Sequence, residues 1–437
     1  MFSKILEGSL AKGFFVLVLK TIPEFCFKFL MTISSIVLAV VFLPVAKKAD
    51  AFFSRVGKRV LARSTKVESD VIMFVTDEKE FTCNAKYITE ELLTRNLPYR
   101  LIWSMGSATR GPFPQGVELV ESGTADYFKA LAKAKVVIQN GHVLQHQRVA
   151  KNPEQFWLQT WHGSLGFKKL EGAGGMQSLF EKLRKLDMKQ TDFVITNSDF
   201  ESDVFNGTYW TNVPQLRLGH ARNDVLFNAS TETTKDLRAK VLSSLRIQDA
   251  GQKFLLFGPT HDDKNLDQPF LNLDFNALRE TLSQKFGGTW EFLLRTHVRN
   301  NATSASWLSG SPEFCIDASL YPDIRDLMVI SDVALTDYSS WICDYIITQK
   351  PSFLVGGNLA QYEKSRGFYH DFKDTPFSLA TSNEELQRHI LAFDQAEYNR
   401  RIEDFFSRCG LMDDGHSSER IADLVVDLMG RQKLSKR

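Results

Sequence analysis

From about residue 70 onward, short apolar runs alternate with amphipathic stretches, a pattern typical of strands alternating with helices. A first series predicts seven strands: Val71–Val75, Tyr99–Ile102, Val117–Val120, Val136–Ile138, Phe156–Thr160, Phe193–Thr196 and Leu216–Leu218. After a charged, helix-like stretch at Thr234–Ser244, a second series predicts five more: Phe254–Phe257, Trp290–Leu294, Phe314–Ile316, Val333–Leu335 and Phe353–Val355. Such alternation builds parallel sheets from βαβ units, so we expect an α/β protein with two Rossmann-like domains facing a cleft.

The first 66 residues have a different pattern. An uncharged apolar run covers Phe29–Val45, and the basic residues that follow it, from Lys47 to Lys66, outnumber the acidic ones. A basic flank of this kind suits the anionic cytoplasmic leaflet of a membrane. Three interpretations remain open: a monotopic or re-entrant anchor, a single marginal transmembrane helix, or ordinary core or interdomain helices. We therefore expect a membrane-associating segment at 1–66, followed by domains at 67–245 and 246–437.

Composition narrows the class of protein further. The 53 basic and 52 acidic residues give a net charge of +1, which offers no case for nucleic-acid binding. No CxxC pair and an odd number of cysteines indicate reduced thiols of a cytosolic protein rather than a disulfide framework or a zinc site. DxD, HExxH and GxGxxG motifs are also absent from the sequence, so we expect chemistry without a metal ion.

The first candidate site follows the predicted strand Phe156–Thr160, where His162 lies between Trp161 and Gly163. A neutral imidazole at a strand end can accept a proton from a hydroxyl near pH 7. Gly163 allows close approach of the backbone to a substrate, and Lys168 is a candidate for a phosphate contact. The alternative is a structural histidine at a strand–loop junction.

A second histidine follows the predicted strand Trp290–Leu294. Arg295, His297 and Arg299 place up to three positive groups near one strand end. Such a cluster suits a diphosphate, because arginine binds phosphate oxygens in a bidentate manner. The alternative is a solvated basic loop.

The segment from Thr336 to Tyr345 predicts a strand, a turn and a helix. Ser339 and Ser340 are good residues for a helix start, where unpaired backbone N–H groups bind anions. Asp344 follows Ser340 by four residues and falls on the same helix face. The alternative is a capping role without a ligand.

Together these segments resemble the CDP-glycerol:poly(glycerophosphate) glycerophosphotransferase family, which includes teichoic acid primases and polymerases. The segments that carry the resemblance run in order along the chain: Trp161-His162-Gly163 with Lys168, Gly219-His220-Ala221-Arg222-Asn223-Asp224, Phe257-Gly258-Pro259-Thr260, Arg295-Thr296-His297, Thr336-Asp337-Tyr338-Ser339-Ser340 with Asp344 and Lys350-Pro351, Arg366-Gly367-Phe368-Tyr369, and Asp413-Asp414-Gly415. The sequence departs from the family pattern where Ala221 replaces a proline, Gly258 replaces an alanine, and His261 follows Thr260.

The resemblance implies a GT-B fold with an inter-domain cleft. It also implies transfer of glycerol phosphate, or a related polyol phosphate, from CDP-glycerol to a hydroxyl of a membrane-linked polymer acceptor. CMP is the other product, no cofactor takes part, and the setting is teichoic-acid-like or capsule polymer synthesis at the cytoplasmic face of the membrane. Two alternatives remain: a GT-B glycosyltransferase using a nucleotide sugar, and a non-enzymatic membrane-bound scaffold.

On this resemblance His162 is the expected general base, and His297 is expected to contact the diphosphate and stabilise the departing CMP. The expected substrate-binding residues are Trp161, Gly163, Lys168, Arg222, Asn223, Thr260, Arg295, Thr336, Asp337, Ser339, Ser340 and Asp344.

Overall fold

The computed structural model of the protein describes residues 58, 61–76, 80–106, 112–142, 144, 147, 149–163, 165–166, 169–170, 177–259, 273–296, 310–357, 359 and 367–432. The chain divides into two compact units, Met1–Ala62 and Arg63–Arg437, and the two sheets belong to the second unit. The apolar run Phe29–Val45 lies outside the described residues, so the three interpretations of it stay open. Within the described ranges, no helix is long and apolar enough to cross a membrane.

Seven parallel strands in the described part of the chain form a first sheet with the order β3-β2-β1-β4-β5-β6-β7. The strands are β1 Glu68–Val75, β2 Arg100–Met105, β3 Val117–Glu121, β4 Ala134–Gln139, β5 Phe156–Gln159, β6 Phe193–Thr196 and β7 Gln215–Arg217. The helices that alternate with them are α1 Cys83–Thr94, α2 Ala125–Lys133, α3 Gln177–Gln190 and α4 Asp199–Gly207. Every predicted strand of the first series is confirmed.

A turn and two helices connect the two sheets. A 3₁₀ turn at Ala221–Asn223 leads into the short helix α5, Asp224–Phe227. Helix α6 then covers Thr231–Leu245 and contains the charged stretch that was predicted to be helical.

A second sheet of six parallel strands, again counting the described residues, has the order β10-β9-β8-β11-β12-β13. Its strands are β8 Lys253–Phe257, β9 Trp290–Leu294, β10 Cys315–Asp317, β11 Val333–Thr336, β12 Ser352–Val355 and β13 Ser378–Ala380. Its helices are α7 Phe275–Phe286, α8 Ile324–Ile330, α9 Trp341–Tyr345, α10 Asn383–Leu391, α11 Gln395–Cys409 and α12 Ser417–Gly430, with 3₁₀ turns at Ile346–Thr348 and Phe372–Asp374. The sequence pattern predicted the first five strands of this sheet and missed β13.

The central strands of both sheets are buried on two faces, which explains why they form continuous apolar runs in the sequence. In β1, Ile72 and Phe74 pack into one core while Val71, Met73 and Val75 pack into the opposite one. Successive side chains of a strand point to opposite faces, so a strand covered on both sides is apolar at every position.

Helix α12 packs on the first sheet although it follows the second sheet in the chain. Its buried residues Ile421 and Val425 share a core with Ile72 and Phe74 of β1. A division of the chain at residue 245 therefore does not describe where this helix lies. The first core is built from both ends of the unit.

The strand orders place the ligand-binding edges. The order reverses between β1 and β4 in the first sheet, and between β8 and β11 in the second. In open parallel sheets, ligands bind outside the carboxyl ends of the strands at such a switch point. The carboxyl ends of β1 and β4, and of β8 and β11, lie at these switch points, and those of β5 and β9 lie beside them.

Candidate functional site

His162 lies exposed on the loop after β5, and its ring is held in one orientation. Its Nδ1 lies 2.7 Å from the carbonyl oxygen of Asn140, in the loop after β4. A carbonyl oxygen only accepts, so Nδ1 carries the hydrogen of the neutral ring and Nε2 keeps its lone pair. The indole of Trp161 stacks on this ring with centroids 4.3 Å apart. The imidazole therefore has the tautomer that a general base requires.

The backbone around His162 is fixed by two buried amides. Trp161 has a left-handed φ of 50°, and its N–H donates to Oε1 of Gln159 at 3.0 Å. Nδ2 of Asn84, in the first turn of α1, donates to the carbonyl oxygens of Thr160 and Trp161 at 3.1 and 3.2 Å. These bonds hold the loop in a conformation that a residue other than glycine rarely adopts.

Gly163 completes the loop by making room for Trp161. A Cβ at residue 163 would lie 3.0 Å from the Nε1 of Trp161, closer than ordinary packing allows. The carbonyl oxygen of Gly163 accepts a hydrogen bond from the guanidinium of Arg222. The predicted Lys168 lies outside the described residues.

Arg222 and Asn223 are fully buried, and their side chains have protein partners. The Nε of Arg222 lies 3.1 Å from Oδ2 of Asp344, on α9 of the second half. Burial opposes the charge of Arg222, but the Asp344 carboxylate outweighs it and raises the pKa of the guanidinium above its ordinary value. Nδ2 of Asn223 donates to Asp344 at 3.2 Å and to Asp413 at 2.8 Å.

Asp344 is 2% exposed in its side chain and also pairs with Arg325 of α8, Nη2 to Oδ2 at 2.7 Å. It thus joins the Ala221–Asn223 turn to two helices of the second half. The contacts point its carboxylate into the protein interior rather than toward the predicted anion site. The substrate contacts of Arg222, Asn223 and Asp344 stay predictions, and the structure gives all three a connecting role.

The predicted order of strand, turn and helix around Ser339 and Ser340 is confirmed, although the helix is short. Ser340 precedes α9, which has only five residues, and makes no side-chain capping bond. Both serines are partly exposed, and Asp337 beside them is buried. Their predicted phosphate contacts remain untested.

Thr336, at the end of β11, holds the turn after β8. Its Oγ1 donates to the carbonyl oxygen of Gly258 at 2.6 Å, and Nε1 of Trp341 donates to the same atom at 2.8 Å. A Cβ at residue 258 would lie 3.0 Å from that Nε1. Glycine at this position, a departure from the family pattern, therefore leaves room for the indole. Thr260 lies outside the described residues.

Arg295 follows β9 and stabilises the loop after β10. Its guanidinium donates to the carbonyl oxygens of Ala318, Tyr321 and Pro322. Burial lowers the pKa of this guanidinium below its ordinary value. The N–H groups of Arg295 thus donate to backbone carbonyl oxygens. The predicted His297 lies outside the described residues.

Two further contacts join the halves beside these loops. Lys86 of α1 lies 2.7 Å from Asp323, and the Tyr87 hydroxyl donates to the same carboxylate at 3.0 Å. Burial raises the pKa of Asp323, but the Lys86 and Arg325 charges and several hydrogen bonds outweigh burial, so the pKa lies below its usual range. Helix α1, whose Asn84 holds the loop after β5, thus also contacts the second half.

Sequence reasoning missed the side chains that position His162. Asn84 carries no motif around it, and its function depends on α1 lying beside the loop after β5. His142 was missed too: it follows β4 in an Asn140-Gly141-His142 segment, and its position after a buried strand was the available signal.

Two parallel α/β sheets, joined by buried ion pairs and carrying a base-competent histidine at a switch-point edge, define a protein of the two-sheet α/β class with a candidate active site. The chain belongs to the CDP-Glycerol:Poly(glycerophosphate) glycerophosphotransferase family, whose sequence profile matches residues 58–427.

Relatives and solved structures agree with this assignment. The chain is 27% identical to a teichoic acid poly(glycerol phosphate) polymerase of Staphylococcus epidermidis, over 79% of this chain and 49% of the relative. It is 25% identical to a teichoic acid glycerol-phosphate transferase of Staphylococcus aureus, over 79% and 90% of the two chains.

Among solved structures, a variant of the wall teichoic acid polymerase TagF soaked with CDPG superposes with a TM-score of 0.74 at 26% identity, covering 86% of this chain and 93% of that one. The chain spans about half the length of the first two curated relatives that it matches.

Proposed function

We propose that the chain transfers glycerol phosphate, or a related polyol phosphate, from CDP-glycerol to a hydroxyl of a membrane-linked polymer acceptor. The observation that carries the proposal is the orientation of His162, whose Nδ1 is committed to Asn140 while Nε2 keeps its lone pair at a sheet edge. Membership of the glycerophosphotransferase family supports the choice of donor.

The reaction moves one phosphoryl group. The acceptor oxygen forms a bond to the β-phosphorus of the donor as its proton passes to Nε2 of His162. The bond from that phosphorus to the bridging oxygen breaks, and CMP leaves with the electron pair. A positioned base of this kind contributes about 10²–10⁴-fold, and the remainder comes from positioning and charge stabilisation.

Other residues have proposed roles in this scheme. His297 contacts the diphosphate and stabilises the departing CMP, and Ser339 and Ser340 hold phosphate oxygens. Lys168 and Arg295 are further candidates for phosphate contacts. We propose no cofactor and no metal ion.

The proposed arrangement is that of a GT-B enzyme. The domain at 67–245 binds the acceptor, the domain at 246–437 binds the donor, and closure of the cleft between them excludes water and suppresses donor hydrolysis. The apolar and basic segment at 1–66 keeps the enzyme at the cytoplasmic face of the membrane, where the acceptor lies.

Replacing His162 with alanine tests the base. We expect CMP release to fall at least about 10²-fold, because no other group takes the hydroxyl proton, while CDP-glycerol still binds. Calorimetric titration with CDP-glycerol measures the binding. His416, whose side chain is 65% exposed, provides the matched control, and His416→Ala should keep wild-type turnover. Near-normal turnover in His162→Ala would remove this residue from the mechanism.

The donor is identified with a panel of CDP-glycerol, CDP-ribitol and nucleotide sugars, with a membrane fraction as the source of acceptor. CMP that appears only with a CDP-polyol supports the proposal. A nucleoside diphosphate formed from a nucleotide sugar alone would replace it with glycosyl transfer.

A further inference from the structure

A second histidine lies at the same sheet edge as His162 and has no part in the mechanism above. His142 follows β4, the strand next to β5, and is 8% exposed. Its Nδ1 lies 3.0 Å from Oδ2 of Asp187, which is fully buried in α3. Trp210, Gln139 and Thr191 also donate to this carboxylate, at 2.9, 3.0 and 3.0 Å.

These contacts fix the tautomer of His142. A carboxylate that already receives Trp210, Gln139, Thr191 and, at 3.5 Å, Gln159 as donors has no hydrogen to give, so Nδ1 of His142 carries the hydrogen of the neutral ring. The lone pair is then on Nε2. A carboxylate that holds a histidine in this manner sets both the tautomer and the ring orientation.

The Nε2 atom of His142 is buried and has no hydrogen-bond partner within the part of the chain that the structure describes. An unsatisfied buried acceptor costs about 1–3 kcal/mol, and folded proteins rarely leave one in place. The ring cannot turn to find a partner without breaking its bond to Asp187. A donor for Nε2 must therefore come from outside the described part of the chain.

The surroundings of His142 connect it to His162. The indole of Trp161 contacts both rings, with centroids 5.3 Å from His142 and 4.3 Å from His162. The side chain of Gln159 joins the two loops, because Nε2 donates to Gly141 O at 2.9 Å and Oε1 accepts the Trp161 N–H. From the exposed His162 through the partly exposed Trp161 to the buried His142, the three rings lead from the surface inward.

The chemistry of Nε2 decides what it can bind. A neutral imidazole nitrogen with a lone pair accepts a hydrogen bond, and a phosphate oxygen without a proton has none to donate. The aromatic rings of Trp161 and Tyr209, 5.3 and 5.6 Å from the imidazole, suit a neutral carbon skeleton rather than an anion. A hydroxyl on a polyol chain meets both conditions.

We propose that His142, oriented by Asp187, binds a hydroxyl of the acceptor polyol beside the hydroxyl that His162 deprotonates. This inference rests on the proposed function and adds a recognition element to the acceptor side of that site. Asp187 is a positioning residue, because it acts through the imidazole.

Two substitutions of His142 separate recognition from packing. The amide nitrogen of His142→Asn replaces Nδ1 and keeps the bond to Asp187, but no atom occupies the Nε2 position. The longer side chain of His142→Gln places an amide oxygen close to that position. With a short synthetic poly(glycerol phosphate) oligomer as acceptor, we expect His142→Asn to raise the acceptor KM roughly tenfold. His142→Gln should recover part of that loss, and the KM for CDP-glycerol should stay within about twofold in both.

A matched acceptor completes the test. An oligomer whose terminal unit lacks the secondary hydroxyl should have a raised KM with the wild-type chain. Both oligomers should have the same KM with His142→Asn, because the partner of the missing hydroxyl is already gone.

The outcomes are distinct. An unchanged acceptor KM in His142→Asn would overturn the inference. The inference would also be overturned if His142→Asn and His142→Gln lowered kcat to the same extent and the thermal midpoint to the same extent, and if neither variant distinguished the two oligomers. His142 would then be a packing residue. Failure of the wild-type chain to release CMP from CDP-glycerol would contradict the proposed function itself.

Discussion

The orientation of the His162 imidazole depends on buried amides whose importance the sequence does not reveal. Asn84 is fully buried and makes three hydrogen bonds: Nδ2 to the carbonyl oxygens of Thr160 and Trp161, and Oδ1 from the N–H of Arg222 at 3.2 Å. One side chain therefore sets both the loop that carries the proposed base and the turn that pairs with the second half. Its removal should affect stability and catalysis together.

We expect Asn84→Ala to lower the free energy of unfolding by at least about 2 kcal/mol, because two carbonyl oxygens and one N–H lose their partner in the interior. Turnover should fall at least about tenfold, since a displaced imidazole is a poor base. Urea denaturation and CMP release measure the two effects.

Two variants sharpen this test. Asn84→Asp keeps the shape of the side chain but turns an oxygen toward two carbonyl oxygens, so it should be at least as damaging. The partly exposed Asn399 on α11, whose Oδ1 accepts a hydrogen bond from the exposed Gln395, serves as the control, because Asn399→Ala should change stability by less than about 0.5 kcal/mol. An Asn84→Ala variant with wild-type stability and turnover would disprove the role of this residue.

At the residue scale, the sequence identifies reactive side chains that directly follow a predicted strand, such as His162. It does not reveal Asn84 or Asp187, because their partners are distant in the chain: 76 residues separate Asn84 from Thr160, and 45 separate Asp187 from His142. The structural role of a buried amide or carboxylate depends on hydrogen-bond partners that only the tertiary structure brings close to it.

At the scale of elements, the turn after β7 determines how α12 begins. The two carboxylate oxygens of Asp224 accept the backbone N–H groups of Ser417 and Ser418 at 2.9 and 2.6 Å. Gly219, with φ of 85°, approaches the same helix start so closely that a Cβ would lie 2.1 Å from Oγ of Ser417. The motif from Gly219 to Asp224 thus attaches the last helix to the first half.

Gly219→Ala should destabilise the protein much more than Gly123→Ala. Both glycines have φ of 85°, but a Cβ at residue 123 meets no atom within 4 Å. The left-handed backbone costs about 1–2 kcal/mol in either variant, and the overlap at residue 219 adds about 1–3 kcal/mol. Urea denaturation of the two variants measures the difference. If the two variants lost the same free energy of unfolding, the start of α12 would be able to move away from the added Cβ at little cost.

Strands and helices could be predicted from the sequence where they are buried, because buried segments consist mainly of apolar residues. Central strands such as β4 and β5 are buried throughout and form apolar runs, whereas β3, β7 and β10 are partly exposed and were predicted from a few apolar residues each. Strand β13 was missed because its sequence, Ser378-Leu379-Ala380, contains one large apolar residue and no apolar run. The return of α12 to the first sheet was not predictable either, because an apolar helix face does not specify which of two sheets it covers.

At the scale of the whole molecule, a chain of buried charges joins the two halves. The Asp344 carboxylate forms ion pairs with Arg222 of the first half and Arg325 of the second. The Asp323 carboxylate pairs with Lys86 of α1. Buried pairs lose much of their solvation, so removing one partner leaves an uncompensated charge. The stability that these ion pairs give to the contact between the halves should therefore depend on pH more than on salt concentration.

Asp323→Asn tests this dependence. The pKa of Asp323 in the folded protein lies below its ordinary value of 3.8, so the pair stabilises the fold above that pH and loses this contribution as pH falls. We expect a loss of about 3 kcal/mol at pH 7, and the difference from wild type should shrink as pH falls below about 4. Urea denaturation between pH 7 and pH 3 measures it.

Asp371 provides the matched control. Its pKa is also lowered, through its hydrogen bond to Lys373, but its side chain is 55% exposed. The difference between Asp371→Asn and wild type should be small and nearly flat with pH, since solvent screens an exposed pair. A flat difference for Asp323→Asn as well would show that the buried chain contributes no pH dependence.

The return of α12 to the first sheet also has a consequence for biosynthesis. Ile421, Val425 and Leu428 complete the core around β1, yet they emerge from the ribosome after nearly all of the second sheet. Multidomain chains usually fold from the N-terminal domain onward as they are made. The first sheet therefore keeps an uncovered apolar face until α12 has been synthesised, and a chain cut short before Ser417 would expose that face to chaperones and proteases.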